Sequence, residues 1–202
     1  MNDITQSLAK FSAEISAENT PQDVLERAKT LITDTIGIAV RARHEAASSN
    51  SVINTVRRLG LDGGNSRVFG DDRGYTPSGA ALINGTLAHS LDFDDTHARG
   101  SIHSSAPIVP AALAAGEMIG ASGEDVLLGI VAGYEVQIRL SLALVPTDHY
   151  DRGFHPTATC GAFGAAAAAG RVLGLSTEQM VNAFGAAGSQ ASGSMQFLTN
   201  GS

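Results

Sequence analysis

Charged and imidazole side chains are concentrated in one stretch of the sequence, AHSLDFDDTHARGSIHSSAP, at residues 88–107. This stretch holds three aspartates, three histidines and one arginine, although only 16% of the residues in the whole chain are charged. Aspartate is unfavourable near the C-terminus of a helix, because the helix dipole is negative there. Function is a common reason for such a local conflict, so we expect this loop to be a functional site.

A calcium site of the EF-hand type is excluded by the spacing in this loop. Asp92, Asp94 and Thr96 match the first, third and fifth positions of such a loop. However, His97 stands where the motif needs glycine, and His103 stands where it needs glutamate.

The same loop carries donors for a transition metal, namely Asp92, Asp94, Asp95, His97 and His103. It lacks the fixed i, i+4 pair or the paired cysteines that make metal sites recognisable in a sequence. The sequence therefore predicts no metal site. A purely structural loop of Asx turns with solvated histidines would explain an isolated Asp-Asp pair, but not three aspartates directly after an apolar helix.

Acid/base catalysis on a polycarboxylate explains the loop better. Removing a proton next to a carboxylate and releasing hydroxide requires a base, an acid and groups that hold the substrate anions. Histidine suits both proton-transfer roles, because its ordinary pKa of about 6.5 lies near neutral pH. A neighbouring aspartate favours the charged form of the imidazole.

A second polar cluster, DHYDRGFHPTAT, occupies residues 148–159 between two apolar segments. We expect His149, Asp151, Arg152 and His155 to reach the same cavity as the first loop if the flanking helices pack as neighbours. His155 directly precedes a helix rich in small residues, and we expect its side chain to point inward.

The segments between these clusters predict an all-α fold with about eight helices in a single domain. Thr20 is the expected N-cap of the second helix, with Pro21 at its first helical position. Gly129 and Gly133 lie one turn apart and should let another helix approach closely. Only residues 66–69 suggest an extended piece. The predicted helices cover residues 4–16, 20–42, 49–60, 76–90, 104–120, 122–144, 157–175 and 176–190.

The charge balance and the single cysteine narrow the class of protein. Lys and Arg total 13 against 20 Asp and Glu, which gives a net charge of −7. A nucleic acid or an anionic membrane is therefore not an expected partner. Cys160 excludes an internal disulfide and is expected to be a buried structural thiol. The N-terminus lacks the pattern of a signal peptide, so we expect a cytoplasmic protein.

Several of these motifs together resemble the MmgE/PrpD family, whose members include 2-methylcitrate dehydratase, cis-aconitate decarboxylase and iminodisuccinate epimerase. The resemblance extends from about Thr20 to Ser202. It implies a large helical domain with a smaller α+β lid domain, a homodimer, and chemistry without a metal or an organic cofactor. The motifs are NGTLAHSLDFDDTH, SSAPIVPAALAAGE after His103, GYEVQIRL, GFHPTATCGAFGAAAAAGRVLGL and FLTNGS.

The resemblance also implies roles for individual residues. His103 and His155 would be the catalytic histidines, and Asp92 would orient a histidine. Thr96 would donate a hydrogen bond to a substrate carboxylate, with further substrate contacts from Asp95 and Arg99. Asp94 and His97 are additional candidates. The chain departs from the family at Ser104-Ser105, where the family usually has Pro-Ser after the histidine.

The resemblance further implies that residues 1–202 are the N-terminal helical part of a longer protein. In the family, a segment with an active-site lysine and histidine follows, and then the lid, whereas the lysines of this chain are Lys10 and Lys29. The leading hypothesis is dehydration of a small tricarboxylate such as 2-methylcitrate. One alternative is epimerisation or decarboxylation of a related acid, and another is a catalytically incomplete helical module that serves in dimerisation.

Overall fold

The fold of the described part of the chain, residues 3–196 and Leu198 in a computed structural model, is predominantly helical. This confirms the predicted all-α class. Of the family motif FLTNGS, only Leu198 lies among the described residues. The elements are α1 Ile4–Glu14, α2 Gln22–Glu45, α3 Ser48–Arg58, β1 Asp62–Val68, β2 Asp71–Tyr75, α4 Pro77–His89, α5 Ser105–Ile119, α6 Gly123–Ala143, α7 Pro146–Asp151, α8 Pro156–Val172 and α9 Thr177–Gln190.

A two-stranded antiparallel hairpin, β1 and β2, corrects the prediction that the chain forms no sheet. Only residues 66–69 were expected to be extended, because the hairpin sequence lacks the alternation of apolar and polar residues that marks a strand. Its strands approach closely at two glycines, since a Cβ at Gly74 would overlap the carbonyl oxygen of Gly64. Asn84 of α4 anchors the hairpin by accepting from Phe69 N and donating to the carbonyl oxygen of Arg67, both at 2.9 Å.

All eight predicted helices are present, but some of their ends differ from the prediction. The described residues contain nine α-helices instead of the predicted eight. The additional one is the six-residue helix α7, which has no clear signal in the sequence. Helix α2 begins at Gln22, and the Thr20 hydroxyl donates to the carbonyl oxygen of Ser16 instead of capping α2.

Helices α6 and α8 form the most extensive packed pair in the molecule. Their contact depends on glycine, as the sequence predicted for Gly129 and Gly133. A Cβ at Gly133 would lie 2.8 Å from the carbonyl oxygen of Gly164 on α8, and a Cβ at Gly129 would lie 2.8 Å from that of Ala168. The backbones of the two helices therefore approach as closely as their small residues allow.

The main apolar core lies where α2, α5, α6 and α8 meet. A second apolar cluster lies between α2, α3, α4 and the hairpin, and a third lies between α1, α6, α8 and α9. Among the described residues, α6 is the one helix long and apolar enough to cross a membrane by length and composition. Over half of its apolar segment is buried inside the domain, which is how a core helix of this composition packs.

Candidate active site

The two polar turns that the sequence singled out lie against each other. The backbone N–H of His103, in the loop before α5, donates to Thr157 Oγ1 at 3.0 Å. Thr157 lies in the first turn of α8, two residues after His155. The buried side chain of Gln137 on α6 donates from Nε2 to the carbonyl oxygen of Thr157 at 3.3 Å, and lies 3.5 Å from that of His103. The α6–α8 packing therefore fixes the distance between the turns.

Three imidazole rings meet where these turns join. The ring centroids of His89 and His103 are 4.8 Å apart, and those of His89 and His155 are 6.5 Å apart. His89 is the last residue of α4, His103 lies in the following loop, and His155 directly precedes α8. Three separate segments of the chain thus contribute one ring each.

A buried carboxylate, Asp94, lies next to two of these rings. Its side chain is completely buried, and its Oδ2 accepts a hydrogen bond from His89 Nδ1 at 3.0 Å. Its Oδ1 lies 3.4 Å from His103 Nδ1. Asp92 had been expected to orient a histidine, but its side chain is 82% exposed and its Oδ1 is 3.9 Å from His103 Nε2. In the structure, Asp94 occupies the orienting position.

The surroundings shift the pKa values of two rings in opposite directions. The hydrogen bond to Asp94 raises the pKa of His89 above its ordinary value, despite the opposing effect of burial. Burial, together with the neighbouring rings of His89 and His103, lowers the pKa of His155. His155 Nδ1 accepts from the backbone N–H of Thr157 at 3.1 Å, which places the ring proton of the neutral form on Nε2. The cluster thus pairs a ring that favours the charged form with one that favours the neutral form.

The structure does not bring the three predicted substrate-binding residues into this cluster. Asp95 Oδ1 accepts from Ser105 N at 3.0 Å and so caps the start of α5. Thr96 lines a separate cavity of about 720 Å³ between α2 and α6. Arg99 is exposed on the loop.

The other polar residues of the two turns mainly support the backbone or face solvent. His97 Nδ1 accepts from Gly100 N at 3.0 Å and closes the loop. His149 Nε2 lies 3.1 Å from Thr159 Oγ1. Asp151 and Arg152 are exposed. Of the second polar stretch, His155 is thus the residue whose ring lies nearest the histidine cluster.

The segment after α9 forms one wall beside His155. The backbone N–H of His155 donates to the carbonyl oxygen of Gly193 at 2.7 Å, and Met195 N donates to that of Gly153 at 3.0 Å. A cavity of about 420 Å³ opens there, lined by His89, His155 and residues 157, 158 and 192–194. Sequence reasoning did not identify this wall, because the segment contains only small or uncharged residues.

Sequence reasoning also left His89 and Asp94 without a leading role. Asp94 is a further candidate beside Asp92, and His89 belongs to the charged stretch without an assigned role. One local signal points to the pair: a histidine in the last turn of a helix is favoured in its charged form by the helix dipole. A carboxylate in the loop that follows can then pair with it.

Comparison with known protein families gives a match over most of the chain. The sequence profile of the MmgE/PrpD N-terminal domain matches residues 6–202. The chain is 32% identical over 201 residues to the cis-aconitate decarboxylase-like protein oryM of Aspergillus oryzae, an alignment that covers 95% of this chain and 41% of that protein.

Two further relatives are cis-aconitate decarboxylases. The enzyme of Aspergillus terreus is 32% identical over 198 residues, covering 95% of this chain and 40% of the enzyme. The enzyme of Homo sapiens is 31% identical over 200 residues, covering 96% of this chain and 41% of the enzyme. The chain thus spans about two fifths of the length of these curated relatives, and the match to the domain profile shows that it belongs to the MmgE/PrpD family.

Proposed function

We propose that this chain is the histidine-bearing helical part of a lyase that acts on a small tricarboxylate by acid/base chemistry, with decarboxylation of cis-aconitate as the leading reaction. The observation that carries the proposal is the convergence of His89 and His103 on the buried carboxylate of Asp94, with His155 beside them. The choice of decarboxylation rests on relatives that bear that name. Because the chain spans about two fifths of their length, the activity is proposed for the whole protein that contains it.

Decarboxylation of cis-aconitate makes limited demands on a protein. The carbon–carbon bond to one carboxylate breaks, CO₂ leaves, and the electron pair moves into a shifted double bond. The carbon at the far end of the former double bond, next to a remaining carboxylate, then takes up one proton. The site must therefore supply an acid in the right position and balance the negative charge of the carboxylates.

The histidine cluster can meet both demands. We assign the positive charge that faces the substrate carboxylates to His89, because Asp94 favours its protonated form. We assign proton delivery to His103, whose partly exposed ring lies between His89 and the exposed carboxylate of Asp92. His155 contributes a neutral ring beside them. Such positioned acid/base groups typically accelerate reactions by about 10²- to 10⁴-fold each.

Dehydration of 2-methylcitrate is the second candidate. There a base removes a proton next to a carboxylate, and an acid protonates the departing hydroxyl, so that water and a double bond form. The opposite pKa shifts of His89 and His155 favour this reading, since they place an acid and a neutral imidazole in one cluster. Product analysis distinguishes the two reactions, because only decarboxylation releases CO₂.

His103 and His155 are the two histidines that the sequence predicts to be catalytic. In the whole protein, His103→Ala and His155→Ala should each lower kcat/KM by about 10²- to 10⁴-fold, because each removes an acid/base group. The assay offers cis-aconitate and 2-methylcitrate separately and measures CO₂ release and the NMR spectrum of the product. His44→Ala is the matched control, since His44 is exposed on α2. Wild-type rates in both variants would exclude this site, and a folded wild-type protein that turns over neither acid would exclude both reactions.

A second prediction concerns the wall beside His155. Gly193 has φ +87°, and a Cβ there would lie 2.9 Å from the carbonyl oxygen of His155. Gly193→Ala should therefore displace the His155 backbone and lower kcat/KM by about 10- to 100-fold, as misplacement by about 1 Å does in other sites. In protein labelled with ¹⁵N-histidine, the His155 resonance should shift while that of His44 stays in place.

Gly185→Ala on α9 is the control for this substitution, because no atom lies within 4 Å of a Cβ at that position. It should leave both turnover and the His155 resonance unchanged. If Gly193→Ala instead keeps the wild-type His155 resonance and rate, the segment after α9 does not position His155.

A further inference from the structure

We propose that the histidine–aspartate cluster is also a Zn²⁺ site, formed by His89, Asp92, Asp94 and His103, and that bound zinc blocks substrate. One possible ligand atom from each of these four residues lies within 4.8 Å of all the others. Two imidazole nitrogens and two carboxylate oxygens make a donor set that zinc binds in proteins. No metal-binding spacing is visible in the sequence, because the four donors come from a helix end and an irregular loop.

The distances within the cluster are close to those around a tetrahedral zinc ion. With metal–ligand bonds of about 2.0–2.1 Å, neighbouring donor atoms lie about 3.4 Å apart. The observed separations are 3.0 Å from His89 Nδ1 to Asp94 Oδ2 and 3.4 Å from His103 Nδ1 to Asp94 Oδ1. Asp92 Oδ1 lies 3.9 Å from Nε2, the other ring nitrogen of His103, so the exposed Asp92 carboxylate must rotate to reach an ion bound at Nδ1. Binding therefore needs side-chain adjustment and no rearrangement of the helices.

An unsatisfied nitrogen gives an independent reason to expect a ligand here. His103 Nδ1 is buried and has no hydrogen-bond partner within the described part of the chain. Buried polar atoms are normally satisfied, so an orphan nitrogen next to a buried carboxylate needs an explanation. A coordinated ion would supply the missing interaction to this nitrogen and also neutralise Asp94.

The site has an open side through which an ion can enter. Asp94 is completely buried beneath the rings, whereas Asp92 is largely exposed at the outer edge and His103 is partly exposed. An entry path and a plausible donor count are what a proposed site must offer. Zinc binding itself depends only on these donors, whereas its effect on turnover rests on the proposed function, because the same rings would then no longer carry protons.

The test is titration of tag-free whole protein with ZnCl₂ by isothermal calorimetry, after treatment with a chelator. One equivalent should bind to the wild-type protein and to His44→Ala, while His103→Ala and Asp94→Asn should weaken binding at least about 100-fold. Visible absorption of the Co²⁺-loaded wild-type protein should show the strong bands of tetrahedral coordination, a readout that no variant's folding can affect.

Two results would overturn the site: a wild-type protein that binds no stoichiometric Zn²⁺, or binding that persists in His103→Ala and Asp94→Asn. Added Zn²⁺ should also inhibit turnover competitively, with recovery after a chelator is added. Stoichiometric zinc binding without turnover of either acid would refute the proposed function but support the metal site. Turnover of an acid without zinc binding would support the proposed function but refute the metal site.

Discussion

Asp94→Asn is expected to lower kcat/KM of the whole protein for its tricarboxylate by about 10²- to 10⁴-fold, with most of the loss in kcat. Asparagine keeps the shape of the side chain but removes the negative charge that faces His89 Nδ1 and His103 Nδ1. Because Asp94 is buried beneath the rings, we regard it as a positioning residue that acts through them. Steady-state kinetics with cis-aconitate measures the effect.

Three comparisons separate this role from a general loss of structure. Asp72→Asn removes an exposed carboxylate from the hairpin and should leave the kinetics unchanged. Asp94→Glu restores the charge and should recover part of the lost activity, which a purely structural role would not explain. The ¹⁵N resonances of His89 should shift in Asp94→Asn while those of His44 do not. If Asp94→Asn turns over at the wild-type rate, the buried carboxylate does not organise the site.

The helical fold could be predicted because its signals are local. Thr76 and Ser122 begin helices as their positions suggested, each accepting a hydrogen bond from a backbone N–H in the first turn. The spacing of Gly129 and Gly133 correctly indicated a close helix neighbour. The hairpin was missed because its strands carry no periodic apolar pattern, although they pair through the backbone and approach closely at Gly64 and Gly74.

The candidate site could be predicted as a region, but not residue by residue. Three aspartates within four residues are equivalent in the sequence, and the backbone decides which one points inward. Asp92 has φ +56°, and its N–H donates to the carbonyl oxygen of His89 at 3.1 Å, which forms a tight turn directly after α4. That turn leaves Asp92 exposed and buries Asp94 beneath His89 and His103. No propensity of an isolated residue specifies this choice.

Contacts from helices that are distant in sequence hold the loop between α4 and α5 in position. The hydroxyl of Ser141 on α6 donates to the carbonyl oxygen of Gly100, and the Tyr150 hydroxyl donates to that of Ser101 at 3.2 Å. These contacts join residues more than forty positions apart, so they depend on the tertiary fold and not on local sequence. The separation of His103 and His155 is therefore a property of the α6–α8 pair, which makes the glycines between these helices relevant to function.

The same substitution at two glycines should consequently change stability in opposite directions. A Cβ at Gly133 would lie 2.8 Å from both the carbonyl oxygen of Gly164 and Ile108 Cγ2, so Gly133→Ala must push α6 and α8 apart. Overpacking of this kind costs about 1–3 kcal/mol. At Gly37, an exposed position within α2, no atom lies within 4 Å of a Cβ. Gly37→Ala should therefore stabilise the protein by about 0.5–1 kcal/mol, because alanine restricts the unfolded chain and favours the helix.

Thermal unfolding of the whole protein, monitored by circular dichroism, measures both predicted changes in stability. The midpoint should fall in Gly133→Ala and rise in Gly37→Ala. Gly133→Ala should also reduce turnover at temperatures where it is fully folded, because Gln137, one turn further along α6, ties together the backbones of His103 and Thr157. A variant with a lower midpoint but full activity would show that the helix spacing supports the fold without setting the distance between the two histidine turns. An unchanged midpoint would show that the close approach of α6 and α8 does not limit stability.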